Sequence, residues 1–251
     1  MSSFEVFELE RRGEVAVVWL NRPEKLNAMA PVFFRELPLV LDEAASSGAG
    51  AVVLTGAGRA FSAGGDIESF VALSDLARCR RHLRSVYDAF WSVERAELPV
   101  VGAVNGIAFG GGTELALACD IVLASNQARF AFKEATVGLM PGYGIVRGPE
   151  VIGRAWTRWL SFTGDEIDAE QAVAIGLAQR VVAHDRLLDE AVALAERIAA
   201  NPPFAVRAAK SFINADTGGR ALADSIEATA LLFTTEDHRR AVAAFLDRRS
   251  G

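Results

Sequence analysis

Two carboxylates twenty residues apart, Glu114 and Glu134, stand in surroundings unusual for acids. Glu114 follows three consecutive glycines in "AVNGIAFGGGTELALACD", and Glu134 lies in "ARFAFKEATVGLMPGYG". A carboxylate in the first turn of a helix is favoured as an anion by the helix dipole. One held among apolar side chains loses hydration and keeps its proton more tightly. Together such a pair could perform general acid–base catalysis, worth about 10²–10⁴-fold. The bland reading of either acid alone is a solvated surface group.

The glycines add a second function. The first N–H groups of a helix lack intrahelical acceptors, and glycine lets a ligand oxygen approach them without meeting a Cβ. Close strand–helix packing would explain Gly110–Gly112 equally well. A second glycine turn, "AFSAGGDI" at residues 60–67, ends at another helix start beside Asp66. Two loops that each offer one N–H to one oxygen make an oxyanion hole, each donor worth roughly 2.7–4 kcal/mol in a transition state. Phosphate loops fit poorly. "GAGRAF" and "GYGIVR" start like G-x-G-x-x-G but place Phe61 and Arg147 at the third glycine, and no P-loop motif occurs.

Around these residues, strand, glycine-rich loop and helix alternate. "FEVFELE" and "GEVAVVWL" read as strands, "NRPEKLNAMA" as a loop, and "PVFFRELPLVLDEAASS" as a helix stopped by Gly48. "AVVLTG", "LPVVGAVNGIAF" and "IVLASNQARFAF" read as buried strands. A helix over 75–95 puts Leu83, Val86, Tyr87, Phe90 and Val93 on one face. From Gly148 the chain reads as almost entirely helical, with Asp168 capping one helix, "NPP" at 201–203 separating two others, and "ALADSIEATALLF" continuing the series. The whole is an α/β layout. Internal repeats are conceivable, but the period is irregular.

The chain has 251 residues, 51% of them hydrophobic, and a formal net charge of −6. That charge disfavours nucleic acid and anionic membrane as partners. Two cysteines, Cys79 and Cys119, form no disulfide framework. With an N-terminus that lacks an apolar signal-peptide core, they point to a cytoplasmic setting. His82, His184 and His238 show no metal-ligand spacing, so no metal is expected. Ser62 lacks a histidine partner for nucleophilic chemistry. Trp156 and Trp159 read as packing groups, Phe130 and Phe132 as core or pocket wall, and Arg78, Arg80, Arg81 and Arg84 as a solvated helix face.

Taken together and in order, "NRPEKLNAM", "AFSAGGDI", "AVNGIAFGGGTELALACD", "FKEATVGLMPGYG" and "TGDEIDAEQAVAIGLAQRVV" resemble the crotonase, or enoyl-CoA hydratase/isomerase, superfamily, from about Phe4 to Arg249. The resemblance implies a spiral of repeated ββα units over residues 1–195, then a helical trimerisation region over 196–251. It implies a homotrimer or a hexamer built from two trimers. The ligand would be an acyl-CoA thioester, with coenzyme A part of the substrate and no separate cofactor. By the same resemblance the N–H groups of Gly65 and Gly111 hold the thioester oxygen, and Glu114 and Glu134 are the catalytic acids. Lys25, Leu26, Ala28, Ala63, Asp66 and Ile67 would line the coenzyme A side, Pro141 and Gly142 would lie by the acids, and Lys210 and Phe233 would contact the nucleotide. Both acids are present, which favours hydration of a trans-2-enoyl thioester over double-bond isomerisation. A non-catalytic acyl-CoA binder is the alternative of another class. Ile145 stands where the family often has glycine, and Tyr143 with Ile145 would reshape the acyl pocket. Arg240 and Ala241 also depart from the family's usual tail.

Overall fold

Gly13, with φ +55°, turns the chain between β1 (Phe7–Arg12) and β2 (Val15–Leu20), which pair antiparallel. The computed structural model describes residues 4–214, 226–227 and 229–250. β2 is almost wholly apolar because it lies inside a sheet covered on both faces. The order of that six-stranded sheet is β1-β2-β3-β5-β7-β10, with β3 at Ala51–Gly56, β5 at Val100–Val104, β7 at Ile121–Ser125 and β10 at Arg180–Val182. Every pairing from β2 onward is parallel.

A second sheet has the order β4-β6-β8-β9, made of Ala60–Ser62, Ile107–Phe109, Arg129–Ala131 and Ile167–Asp168. Its strands β4, β6 and β8 directly follow β3, β5 and β7, and pair parallel to one another. Each turn of the chain therefore lays one strand in the large sheet and the next in the small one. This is the expected spiral of ββα units. The repeat is faint in sequence because the second strand of each unit is only three residues long.

The helices are α1 (Pro31–Ser46), α2 (Ile67–Phe70), α3 (Leu76–Arg95), α4 (Gly111–Ala118), α5 (Gly142–Val151), α6 (Gly153–Thr163), α7 (Ala169–Ala174), α8 (Leu187–Ala199), α9 (Pro203–Asn214) and α10 (Glu236–Ser250). α3 buries Leu83, Tyr87, Phe90 and Val93 as its spacing predicts. Asp168 caps α7 by accepting from Gln171 N–H at 2.8 Å. The large sheet divides the core. α8 covers one face with Leu187, Ala191 and Ala195 on Val17, Val53 and Val101, while α1, α3 and α4 fill the other side.

Two expectations change. The stretch after Gly148 is not all helical, because "RVV" forms β10 on the sheet edge and "ID" forms β9. The boundary expected at 195/196 falls inside α8, whose Ala195 is buried on the sheet. Of the helix read in "ALADSIEATALLF", residues 221–225 and 228 lie outside the described residues.

Candidate active site

The two glycine loops meet in space. Met29 N–H donates to Gly64 O at 2.8 Å, and Asp66 N–H to Met29 O at 3.1 Å, a parallel bridge centred on Gly65. In that arrangement the N–H of Gly65 points away from Met29. Ser62, fully buried, fixes the loop: its hydroxyl donates to Asn27 O at 2.8 Å and accepts from Gly64 N–H at 3.1 Å. Its role is thus to hold the turn, not to act as a nucleophile. Gly111 opens α4, so its N–H has no carbonyl one turn earlier in the helix. A Cβ placed on Gly64 would lie 3.3 Å from Gly111 N, so the two loops touch.

Gly110 explains the start of the glycine block. Its φ is +52°, and a Cβ there would sit 2.8 Å from Glu134 Oε1. Gly112 has a different reason, since its Cβ would be 2.4 Å from Ser62 O. The close-packing reading thus holds at Gly112, while Gly110 leaves room for an acid side chain.

A cavity of about 80 Å³ brings Gly65, Gly111, Glu114, Glu134, Gly142 and Phe233 together. Glu114 comes from the first turn of α4 and is 5% exposed. Its Oε1 accepts from Gly144 N–H at 2.8 Å. Burial pushes its pKa up to about 7, against the pull of the Gly144 and Tyr143 N–H groups. Glu134 opens a single 3₁₀ turn, Glu134–Val137, after β8. Burial, then the nearby Glu114 charge, drives its pKa well above the ordinary carboxylate value. Its Oε2 is buried with no hydrogen-bond partner. His238 of α10 braces this turn, its Nδ1 2.8 Å from Val137 O. Phe130 and Phe132 are fully buried core, and Phe132 packs on Gly144.

Next to the cavity, "RPEKLNAM" and "SAGGDI" pack into one rim. Arg22 reaches Ala28 O at 2.8 Å and Asp66 Oδ2 at 3.1 Å, and Ala63 N–H donates to Leu26 O at 2.9 Å. Ile67 starts α2, and Lys25 is half-buried and paired with Glu68 at 3.1 Å. Leu26 and Asn27 have φ of 52° and 56°, a conformation that is strained for leucine and milder for asparagine. Pro141 caps the start of α5 without lining the cavity.

Lys210, expected by resemblance at the nucleotide, is engaged within its own chain. Its ammonium is buried and bonded to Asp120 Oδ2 at 2.7 Å and to the Val93 and Leu98 carbonyls at 3.0 Å each. All three donors are committed, and the residue lines a different cavity of about 770 Å³ beside α9. It anchors α9 to the body and does not reach the acids. Two residues were missed by pattern. Asn27 holds three backbone partners, Arg22 N–H at 2.9 Å, Ala57 O at 3.0 Å and Ala60 O at 2.8 Å. His82 lines the acid cavity between Phe34, Phe70 and Phe233, and burial lowers its pKa to about 4, so it is neutral there. Asparagine's tolerance of positive φ was the available signal for Asn27; for His82 there was none.

Among the described residues no group of three or more His, Cys, Asp or Glu is placed to hold a metal ion. No described helix is long and apolar enough to cross a membrane.

Residues 10–251 match the family model described as enoyl-CoA hydratase/isomerase. The chain is 38% identical over 250 residues to a short-chain-enoyl-CoA hydratase of Clostridium acetobutylicum, covering 96% of this chain and 94% of that one. It is 34% identical to a crotonyl-CoA hydratase of Syntrophomonas wolfei, with 98% and 97% covered. The crystal structure of an enoyl-CoA hydratase/isomerase from Xanthobacter autotrophicus superposes with a TM-score of 0.89 at 30% identity, covering 98% of this chain and 99% of that one. Glycine-bounded strand pairs, a spiral of them, and two acids on one cavity have the same explanation: this chain belongs to the enoyl-CoA hydratase/isomerase family.

Proposed function

We propose that the protein is an enoyl-CoA hydratase that adds water across C2=C3 of a trans-2-enoyl thioester. The observation that carries this reading is the pair of buried carboxyls, Glu114 and Glu134, on one cavity with the N–H groups of Gly65 and Gly111. Two buried carboxyls that repel each other are not both ionised, so near neutrality the pair holds one proton. Glu134 is pushed up by burial and by Glu114, which leaves Glu114 as the ionised partner.

Glu114 takes a proton from water as the water oxygen bonds to C3. The C2=C3 electron pair moves toward the thioester carbonyl, whose oxygen becomes negative between Gly65 and Gly111 N–H. Glu134 then delivers its proton to C2, and proton return from Glu114 to Glu134, directly or through solvent, resets the pair. Lys25, Leu26, Ala28, Ala63, Asp66 and Ile67 would take the coenzyme A side; Phe233, expected at the nucleotide, lines the acid cavity and would face the acyl-thioester end instead. Exposed apolar groups on α9, Phe204 at 85% and Ile213 at 79%, support assembly of copies into a trimer or a pair of trimers.

Loss of the conjugated thioester absorbance of crotonyl-CoA tests the reaction. Glu114→Gln and Glu134→Gln should each lower the rate by roughly 10²–10⁴-fold. No hydration of short or long 2-enoyl-CoAs would overturn the proposal, and conversion of a 3-enoyl-CoA to the 2-enoyl form without water uptake would replace it with isomerisation.

A further inference from the structure

We propose that Glu94, Arg147 and Tyr143 form a buried clamp that positions Glu114 by fixing the first turn of α5. The inference concerns residues that no part of the acid–base chemistry above uses, and it rests on Glu114 being the working base.

α5 presents the N–H of Gly144 to Glu114 Oε1 at 2.8 Å. Its own sequence, GYGIVRGPEV, cannot hold it there. Gly144 and Gly148 each cost roughly 1 kcal/mol in a helix interior and Pro149 about 3. Placement must come from tertiary contacts. Tyr143 and Arg147, four residues apart and so on one face of α5, make side-chain ones to α3. The Tyr143 hydroxyl donates to Glu94 Oε1. The Arg147 guanidinium donates to both Glu94 oxygens, Nε to Oε1 and the terminal amino group to Oε2. Its other amino group reaches Glu150 Oε2 at 2.9 Å. Glu94 and Arg147 are 7% and 6% exposed.

Glu94 sits on α3, one turn beyond Phe90 and two beyond Tyr87, both of which wall the acid cavity. The Tyr143 ring meets Phe90 edge-on at 5.4 Å. The clamp thus ties the helix that carries the hydrogen-bond donor to the helix that carries the wall. Burying an ion pair this deeply gives little net stability, because desolvation offsets the attraction. Orientation is what a two-pronged, tyrosine-backed pair adds over an apolar contact.

The titrating groups around Glu114 are Glu134 after β8, Tyr87 and His82 on α3, and Tyr143 on α5, with Glu94 and Arg147 behind Tyr143. The clamp acts on Glu114 through the donor at Gly144. If the clamp is loosened, the Gly144 and Tyr143 N–H groups no longer hold the Glu114 anion, and its proton affinity rises.

The test uses the full chain with Glu94→Gln and Arg147→Met combined, which removes the pair without orphaning a buried charge, and Tyr143→Phe separately. Carbon-13 NMR of labelled glutamate carboxyls, with the Glu114 signal assigned by its loss in Glu114→Gln, reads the titration without any substrate. The expected result is an upward move of the Glu114 midpoint by about one pH unit in the double variant and less in Tyr143→Phe. With crotonyl-CoA, the acid limb of kcat should move by the same amount, kcat near neutral pH should fall about fivefold, and KM should stay within about twofold. Arg147→Lys should restore part of the shift. A folded double variant whose Glu114 midpoint is unmoved overturns the proposal. A wild-type protein inactive on every enoyl-CoA overturns the hydratase reading instead, and leaves the NMR titration to decide the clamp.

Discussion

Replacing Glu114 by glutamine should make this protein more stable and less active, with the stability gain confined to higher pH. The native pKa is about 7 against an ordinary 4.5. A carboxyl that holds its proton more tightly in the native state loses stability as pH rises from about 4.5 to about 7, and the loss is complete above that. At 1.36 kcal/mol per unit the gap is roughly 3 kcal/mol. Glutamine keeps the acceptor for Gly144 N–H and never ionises. Glu134, relieved of its neighbour's charge, titrates lower and adds to the effect in the same direction. In a chain of this size 1 kcal/mol moves Tm by roughly 2–4 °C. The variant should therefore melt roughly 6–12 °C above wild type at pH 8, and within about 2–3 °C of it at pH 5. Paired thermal melts at the two pH values measure this, alongside the crotonyl-CoA rate. An equal difference at both pH values, or a variant less stable at pH 8, would show that Glu114 is not the strained group inferred from its burial.

Three further outcomes follow from the geometry. Gly110→Ala forces a Cβ toward Glu134 Oε1 at a positive φ. It should cost about 1–2 kcal/mol in melts and depress kcat more than KM. Lys210→Met strands the partly buried Asp120 carboxylate and should destabilise by about 3–5 kcal/mol, with KM for crotonyl-CoA unchanged once the protein is folded. Asn27→Ala unties the rim from Arg22, Ala57 and Ala60, so KM should rise severalfold in steady-state kinetics while the pH profile of kcat keeps its shape.

What the sequence made legible was the chemistry carried by residue type. Glu114 announced itself by glycines before it, and the strands of the large sheet by long apolar runs. Short elements escaped: β10 is three residues between helices, and its apolar pair reads as well in a helix as in a strand. Lys210 reads in sequence as a solvated lysine, and only the fold shows Asp120 and two carbonyls converging on it. Glu94 and Arg147 lie more than fifty positions apart and each looks like an ordinary helical charge. Their pairing is a fact of how α3 and α5 stack, which no local pattern encodes.

The spiral has a consequence for assembly of function. The Gly65 turn follows β4, Gly111 and Glu114 follow β6, and Glu134 follows β8. Three consecutive windings each contribute one part of the proposed site, and none holds all of it. Recovery of turnover during refolding should thus be a late reporter, trailing the return of helical signal, and a fragment ending before β8 would have structure without chemistry.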